Sequence, residues 1–292
     1  MEFQLTYVED KETIIKRRFE KIFIYSFLTV STLICLFPFF LLLINSTRAN
    51  TELQSGFSLL PQGHFFENLY GAFHDTSIDM GKGLLNSFII AAASAFFTCY
   101  FSSMCAYGIF VYDFKIKKLV YTLILAFMLI PTQVSAVGYV QLVNLTGLRD
   151  SFIPLILPSF ASPVAFFYMI QYMRQAVDKE LIEAARTDGA NEFYIFNRII
   201  MPIMKPAVAV QAIFAFVSSW NNYFIPSLLI NEKSKKTIPI MMSTLRSTAN
   251  SLDYDLGKIY MFVLISIIPV ILVYIILSKS IISGITAGAV KQ

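Results

Sequence analysis

The sequence contains a series of long apolar runs with no charged residue in their central parts. A helix that crosses a bilayer needs about 20 apolar residues, because its backbone polar groups must be satisfied within the helix. Only 14% of the residues are charged, whereas soluble domains have about a quarter. The sequence therefore predicts an all-α integral membrane protein with six transmembrane helices. The predicted spans are residues 22–47, 84–110, 119–145, 152–173, 203–231 and 259–278.

The distribution of basic residues predicts on which side of the membrane each loop lies. With the N-terminus inside, the inner segments hold 15 Lys and Arg residues and the outer segments hold 8. Segments rich in Lys and Arg remain in the cytoplasm, although the outer cluster at 233–236 runs against this rule. We therefore expect both termini to be cytoplasmic, with residues 1–21 as an N-terminal segment and 279–292 as a C-terminal tail.

The inner loop at 174–202 has a pattern typical of two short helices separated by a tight turn. Asp178 is a good N-cap, and Glu180 places a carboxylate in the positively polarised first turn. Gly189 supplies a position with positive φ that ends a helix, and Asn191 can cap the helix that follows. The loop is therefore predicted to return to the membrane as a second helix.

The middle of this loop carries a feature that has two interpretations. Ala184 and Ala185 offer a face with little side chain, which would allow another surface to approach closely, and Glu183 adds a charge there. A solvated turn that merely joins two membrane helices accounts for the same residues equally well. The residues alone leave both alternatives open.

The spacing in this loop resembles the EAA loop of binding-protein-dependent ABC importer permeases. The pattern of that family is E-A-A, three residues, G, nine residues and then I-x-L-P. Met201 stands where the family has Leu, a substitution that preserves volume and apolar character, and the segment 188–190 (DGA) resembles sugar-transporting members. The matching residues are Glu183, Ala184, Ala185, Gly189, Ile199 and Pro202.

Two further stretches are similar to the same subfamily. SSWNNYFIPSLLI (218–230) resembles the fifth-helix region of maltose-type and multiple-sugar permeases, where W-N-D is commoner; Asn222 replaces that Asp. The ending GITAGAVKQ (284–292) is similar to their G-L-T-A-G-A-V-K-G ending. The resemblance covers most of the chain from the second predicted helix onward. It implies the smaller, six-helix permease subunit, with the type I ABC importer permease fold over residues 22–278.

The resemblance also implies partners and roles. The loop at 174–202 would be the coupling loop, which docks on a cytoplasmic ATPase dimer, and the C-terminal tail would reach the same ATPase. The other expected partners are a second permease subunit, which would make a heterodimer, an extracytoplasmic sugar-binding protein and membrane lipid, with no nucleic acid. The implied coupling residues are Glu183, Ala184, Ala185, Asp188, Gly189, Ile199 and Pro202. The implied tail contacts are Gly288, Ala289, Val290, Lys291 and Gln292.

The chain lacks the residues that would let it hydrolyse ATP itself. No G-x-x-x-x-G-K-[ST] sequence occurs, and that loop is what cradles nucleotide phosphates. We therefore expect no enzyme activity, no catalytic residue, no metal site and no cofactor on this chain, with ATP and magnesium on the partner ATPase.

Polar side chains at helical spacing indicate a possible substrate path. Amides, hydroxyls and aromatic rings can hydrogen-bond to and stack on sugars, but small and weakly polar residues also favour helix packing, and aromatic residues anchor helices at the membrane interface. For the stripe Ser87, Ala91, Ser94, Thr98 and Ser102 packing is the favoured interpretation. The candidates for the path are Gln133, Gln141, Asn144, Gln211, Ser218, Trp220, Asn222 and Tyr223.

These observations predict a transmembrane permease subunit of an ATP-driven importer that moves a carbohydrate, in particular an oligosaccharide, across the cytoplasmic membrane of a bacterium. One alternative is an ABC permease for a solute that is not a sugar. A second is a secondary carrier that works without an ATPase. The absence of ionisable residues from the helix centres counts against the carrier, because such residues mark ion and proton pathways.

Overall fold

The computed structural model describes residues 11–75, 78–247 and 255–289, and every regular element in these ranges is helical. In chain order the helices are α1 (Lys11–Asn45), α2 (Asn50–Gln54), α3 (Phe65–Phe73), α4 (Met80–Val111), α5 (Lys117–Phe127), α6 (Thr132–Leu145), α7 (Ile153–Ile156), α8 (Pro163–Ala176), α9 (Lys179–Thr187), α10 (Glu192–Tyr194), α11 (Met201–Ile203), α12 (Lys205–Trp220), α13 (Phe224–Leu229), α14 (Ile238–Ser247) and α15 (Leu256–Ala289). Short 3-10 turns at Leu157–Phe160 and Lys233–Lys235 and a π-helical stretch at Ile195–Ile200 accompany them.

Among the described residues, four helical segments are long and apolar enough to cross a membrane. They are Arg17–Asn45, Met80–Val111, Ile153–Ala176 and Leu256–Ile281. Two further spans arise if each pair of helices that meets at a bend counts as one: α5 with α6, and the segment Glu192–Ile203 with α12. The all-α membrane class predicted from the sequence is confirmed.

Both bends occur beside proline. Helices α5 and α6 meet at 96°, and Pro131 is the residue before the first turn of α6. Proline lacks a backbone N–H and disfavours helix at the preceding residue, so a helix ends there. The second bend, of 81°, lies at Met204, two residues before Pro206.

Two of the predicted spans therefore have a different form in the structure. The third predicted span, 119–145, consists of two helices rather than one continuous helix. The fifth, 203–231, ends its main helix at Trp220, and the separate short helix α13 begins at Phe224. At the other end of the chain, α1 starts at Lys11, within the segment expected to precede the first span.

The chain forms two compact units, and the first comprises residues up to 68 together with 255–261. Most of α1 is exposed in this unit. Asn68 is buried, and its side-chain Nδ2 donates to the backbone carbonyls of Ser46 and Arg48, each at 2.9 Å. The backbone N–H of Leu256 donates to Oδ1 of Asn50 at 3.1 Å. These hydrogen bonds satisfy backbone groups that have no partner within the regular helices.

The second unit comprises residues 69–254 and 262 onward, and α4 is its central helix. Helix α4 packs along α12 and α8. The small-residue stripe on α4 is buried throughout, which confirms that it serves helix packing. Small side chains let helix backbones approach closely in a membrane. The stripe consists of Ser87, Ala91, Ser94, Thr98 and Ser102.

An apolar cluster of the second unit lies at the C-terminal end of α4. The cluster includes Tyr107 of α4, Met169 and Met173 of α8, and Ile182 of α9, none more than 4% exposed. Ile200, with no exposed surface, extends it into the π-helical stretch. The segment 178–203 is thus packed onto the same end of α4.

Candidate functional site

Helix α9 has the start and the stop that its sequence predicts. Oδ1 of Asp178 accepts a hydrogen bond from the backbone N–H of Glu180 at 3.1 Å. Gly189 has φ +82°, in the left-handed region. This conformation lets the N–H of Ala190 bond to the carbonyl of Ala185 at 3.0 Å, which closes the helix. The predicted N-cap and C-terminal glycine are both confirmed.

The predicted second helix also begins as expected. Oδ1 of Asn191 accepts from the backbone N–H of Tyr194 at 2.8 Å. The helix then widens into the π-helical stretch Ile195–Ile200 before it reaches the bend at Met204. Such stretches are rare and are frequent at functional sites.

Burial divides α9 into an inner and an outer face. Ile182 and Ala185 are 1% and 9% exposed and face the apolar cluster. Glu183 and Ala184 are exposed. The two alanines therefore lie on different faces, because Ala185 comes three residues after Ile182 and so falls on the same inner face of the helix. The small side chain of Ala185 lets α9 lie close to its own chain.

Residues of the EAA pattern meet around one surface cavity. Its volume is about 490 Å³, and it opens at the turn between α9 and the second helix. A Cβ on Gly189 would meet no atom within 4 Å, so this glycine is required by its φ rather than by crowding. The cavity is lined by Ala185, Asp188, Gly189, Ala190, Asn191, Tyr194 and Ile199.

A charged cluster joins the two helices of the loop to α4. Nε of Arg186, at the end of α9, lies 2.7 Å from Oε1 of Glu192. The hydroxyl of Tyr107 on α4 donates to Oε2 of the same carboxylate at 2.7 Å. The hydrogen bond to Glu192 raises the pKa of Arg186 above its usual value. Glu192 therefore joins α9, α10 and α4.

Cations of the loop also stack on aromatic rings near the end of α4. The Nζ of Lys179 lies 5.5 Å from the centre of the Phe110 ring, and the guanidinium carbon of Arg186 lies 5.6 Å from that of Tyr112. Cations at this distance are attracted to the face of a ring. Both ends of α9 are thus held against α4 and the residue that follows it.

The opposite end of α4 is bound to other loops. Nδ2 of Asn86 donates to the carbonyls of Ser234 and Lys236, at 2.9 and 3.0 Å. The hydroxyl of Ser87 accepts from the backbone N–H of Ile238 at 2.8 Å. The loop that follows residue 232 and the loop at 174–202 therefore contact opposite ends of the same helix.

A second capping site lies after α6. Asp150 has φ 53°, and its Oδ1 accepts the backbone N–H groups of Asn231 and Glu232, at 2.5 and 2.8 Å. Its own N–H donates to the carbonyl of Leu229 at 3.1 Å. The hydrogen bonds from the backbone N–H groups of Glu232 and Asn231 hold the pKa of the Asp150 carboxyl below its usual value. Asp150 thus fixes the end of α13.

The structure separates the candidates for the substrate path into two groups. Gln211 and Trp220 are buried, at 5% and 3% exposed. The indole N–H of Trp220 donates to the carbonyl of Ser266 at 3.2 Å, and its ring stacks on Phe216 with centroids 5.6 Å apart. In this arrangement both side chains pack between helices. The exposed candidates are Gln133, Gln141, Asn144, Ser218, Asn222 and Tyr223.

The other predicted contacts lie at or beyond the limits of the description. Gly288 and Ala289 are the last residues of α15. Val290, Lys291 and Gln292 lie outside the described residues.

Sequence reasoning missed Tyr107, Glu192 and Asp150, which organise these sites. Tyr107 meets Glu192 across 85 positions and Asp150 meets Asn231 across 81, and no local pattern pairs residues so far apart. The signals available were weak: Glu192 is a carboxylate in a first helical turn, and Asp is among the few residues that tolerate positive φ.

Comparison with known proteins identifies related chains. Residues 98–286 match the family model described as "Binding-protein-dependent transport system inner membrane component". The arabinooligosaccharides transport system permease protein AraQ of Bacillus subtilis (strain 168) is 36% identical, over 91% of this chain and 94% of its own length. The lactose transport system permease protein LacG of Rhizobium radiobacter is 29% identical, over 96% of this chain and 99% of its own.

A solved structure has the same fold. It is described as the crystal structure of a bacterial ABC transporter involved in the import of the acidic polysaccharide alginate. The TM-score is 0.77 at 20% sequence identity, and the match covers 90% of this chain and 97% of the other. The described helices therefore have the type I permease arrangement expected from the sequence.

Proposed function

The chain belongs to the family of binding-protein-dependent transport system inner membrane components, and we propose that it is one of two permease subunits of an ATP-driven carbohydrate importer. It is a multi-pass membrane protein. The proposed solute is an oligosaccharide, and the proposed location is the cytoplasmic membrane of a bacterium with both termini in the cytoplasm.

The observation that carries the coupling role is the form of the loop at 174–202. A capped helix is anchored by its inner face and presents Glu183 and Ala184 outward. A helix that must transmit force needs one face fixed to its own chain and another free for a partner. Glu183, Ala184 and Ala185 combine these two requirements within about one turn of helix.

The carbohydrate assignment is supported by the relatives and by the apolar character of the spans. AraQ and LacG are named for arabinooligosaccharides and lactose. The helix centres of this chain carry no charged residue, whereas a charged solute would favour a charged partner in its path. The exposed polar candidates are amides and hydroxyls, which suit a neutral polyol.

The proposed cycle assigns the energy to another chain. A binding protein delivers the sugar at the outer face, and ATP binding by the ATPase dimer moves α9, closing the inner gate and opening the outer one. ATP hydrolysis restores the inward-facing state. ATP and magnesium act on the ATPase, and this subunit contributes the path and the coupling loop.

The test is purification of the tagged subunit from its native membrane in mild detergent, with identification of the chains that accompany it. The complex is then reconstituted in vesicles and assayed for ATP-dependent uptake of arabinooligosaccharides and lactose. We expect an ATPase and a second permease in the complex, and uptake that requires ATP and the binding protein.

Two results would contradict the proposal in different ways. Recovery of the subunit alone, after controls for detergent dissociation, together with uptake driven by an ion gradient would replace the importer with a secondary carrier. ATP-dependent uptake of a solute that is not a carbohydrate would retain the importer and overturn the sugar assignment.

A further inference from the structure

We propose that Glu192 is a positioning residue that fastens the coupling helix α9 to α4, so that displacement of α9 by the ATPase carries the cytoplasmic end of α4 with it. This inference rests on the proposed function. It assigns a role to Glu192, at a position that the EAA pattern leaves unspecified, and to a partner, Tyr107, on a distant helix.

The first step is the occupancy of the Glu192 carboxylate. Its Oε1 lies 2.7 Å from Nε of Arg186, and its Oε2 accepts the hydroxyl of Tyr107 at 2.7 Å. Hydrogen bonds that involve a charged group are shorter and stronger than neutral ones. Each oxygen thus engages a different helix, and the side chain bridges the end of α9 and the last turns of α4.

The second step is the direction of the contacts on α9. Arg186 stacks on Tyr112 at its C-terminal end, and Lys179 stacks on Phe110 at its N-terminal end. These rings follow Tyr107 within five residues. Helix α9 is therefore held at one end against α4 and at the other against the residue that follows α4.

The third step concerns the apolar cluster against which α9 packs. Ile182 and Ala185 of α9 are packed in the same apolar cluster as Tyr107, and the Tyr107 ring lies 5.6 Å from that of Phe196. Close-packed interiors transmit displacement rather than absorb it. The hydrogen bonds of Glu192 and this apolar cluster therefore contact the same turn of α4.

The fourth step is the path beyond α4. Helix α4 packs along both α8 and α12, and its other end is bonded to the segment 234–238 through Asn86 and Ser87. At 1.5 Å per residue, its 32 residues extend about 48 Å. A displacement received at Tyr107 can therefore reach the opposite face of the membrane along one helix.

The partial exposure of the ion pair helps to separate a positioning role from a stabilising one. The Arg186 and Glu192 side chains are 36% and 42% exposed, and ion pairs this exposed contribute little to stability. Loss of the Glu192 charge should therefore leave folding and assembly nearly unchanged. A large functional effect would have to come from the link itself.

The experiment compares Glu192→Gln and Tyr107→Phe with the wild type in the complete reconstituted transporter. Glu192→Gln keeps the shape of the side chain, and Tyr107→Phe removes one hydroxyl while leaving the ring in the cluster. The measurements are the amount of assembled complex, the rate of ATP hydrolysis, and the number of solute molecules moved per ATP. The solutes are arabinooligosaccharides and lactose.

We expect normal assembly and continued ATP hydrolysis, with transport per ATP reduced about fivefold or more in each variant. The double variant should lose little beyond either single one, because both changes break the same link. Tyr139→Phe is the matched control: it removes a hydroxyl that donates to the carbonyl of Pro154 at 2.5 Å, a hydrogen bond in which no residue of the coupling loop takes part. This control should keep the wild-type ratio.

The outcomes distinguish the two hypotheses. If the wild type shows no ATP-driven uptake, the proposed function fails and the inference fails with it. If the wild type is coupled and both variants keep its transport per ATP, the inference alone is overturned. It is also overturned if hydrolysis and uptake fall in parallel with the amount of complex, because a purely structural contact would give that result.

Discussion

The indole N–H of Trp220 donates a hydrogen bond to the backbone carbonyl of Ser266, at 3.2 Å. The bond links the end of α12 to α15, and the ring is 3% exposed and stacks on Phe216. The sequence left two roles open for Trp220: stacking on a sugar ring, or anchoring a helix at the membrane interface. Its position between helices in this structure favours a packing role.

The first prediction follows from that position. Trp220→Ala should lower the free energy of unfolding by about 3–5 kcal/mol, because it leaves a cavity in a packed site. In the complex that still assembles, the KM for solute should be unchanged. The measurements are thermal unfolding in detergent and uptake in vesicles.

The comparison variant is Tyr223→Ala, which removes an aromatic side chain that is 45% exposed. It should unfold near the wild-type temperature. A raised KM in Trp220→Ala at normal stability would return Trp220 to the substrate path.

The second prediction concerns two glycines in different surroundings. A Cβ on Gly257 would lie 2.7 Å from Oδ1 of Asn68 and 2.8 Å from the backbone carbonyl of Arg48. Because a backbone atom cannot move aside easily, Gly257→Ala should cost about 1–3 kcal/mol of stability. A Cβ on Gly108, inside α4, would meet no atom within 4 Å.

Gly108→Ala should therefore stabilise the chain by up to about 1 kcal/mol, the difference in helix propensity between the two residues. Unfolding temperatures of the two variants, measured in one detergent, test the prediction: Gly257→Ala should unfold below the wild-type temperature and Gly108→Ala above it. Equal effects would mean that the close approach around Gly257 does not constrain the fold.

Local signals account for the parts of the fold that the sequence predicted. The long apolar runs predicted helices, and Asp178, Gly189 and Asn191 marked the ends of the loop helices because a cap acts through backbone groups within a few residues. The buried stripe on α4 was likewise predicted from its spacing. Each of these inferences depends on neighbours along the chain.

The remainder depends on contacts between distant segments. The bend at Pro131 divides the third predicted span, and the end of α12 at Trp220 divides the fifth, although hydropathy alone reads each as one continuous span. The inward orientation of Ala185 is decided by Ile182 beside it and by the cluster it meets. The link between Tyr107 and Glu192 joins residues 85 positions apart, so the EAA pattern located the loop but not its attachment to α4.

The third prediction is a pH dependence at Asp150. Its pKa is lowered in the folded protein because Oδ1 accepts the backbone N–H groups of Glu232 and Asn231. A carboxyl whose folded pKa is depressed stabilises the fold above its unfolded pKa, about 3.9 for Asp, and loses that contribution as pH falls through the folded value. The contribution should therefore be full near neutral pH and fade in acid.

The matched variant is Asp150→Asn, which tolerates the positive φ of 53° but carries no charge. Unfolding temperatures of both proteins are compared from about pH 7 to about pH 3. The wild type should be the more stable at neutral pH, and the difference should shrink towards the acidic end. A difference that stays constant over this range would show that the charge of Asp150 contributes nothing.

The last prediction concerns the exposed face of α9. Glu183 lies on that face, one position after buried Ile182, and it is the acidic residue of the EAA pattern. Glu183→Lys should reduce uptake by about tenfold or more and weaken association with the ATPase, since reversing a charge at a docking surface replaces attraction with repulsion. Insertion into the membrane should be unchanged, because the Glu183 side chain is exposed rather than part of the buried core.

Glu20→Lys supplies the control, since it makes the same charge reversal at an exposed position of α1 outside the coupling loop. Uptake and the amount of ATPase that accompanies each tagged variant are measured together. Loss of both in Glu183→Lys, with both retained in Glu20→Lys, would locate the ATPase contact on α9. Normal uptake in Glu183→Lys would show that this residue is not part of a coupling surface. The loop at 174–202 would then be a solvated connection between two membrane helices.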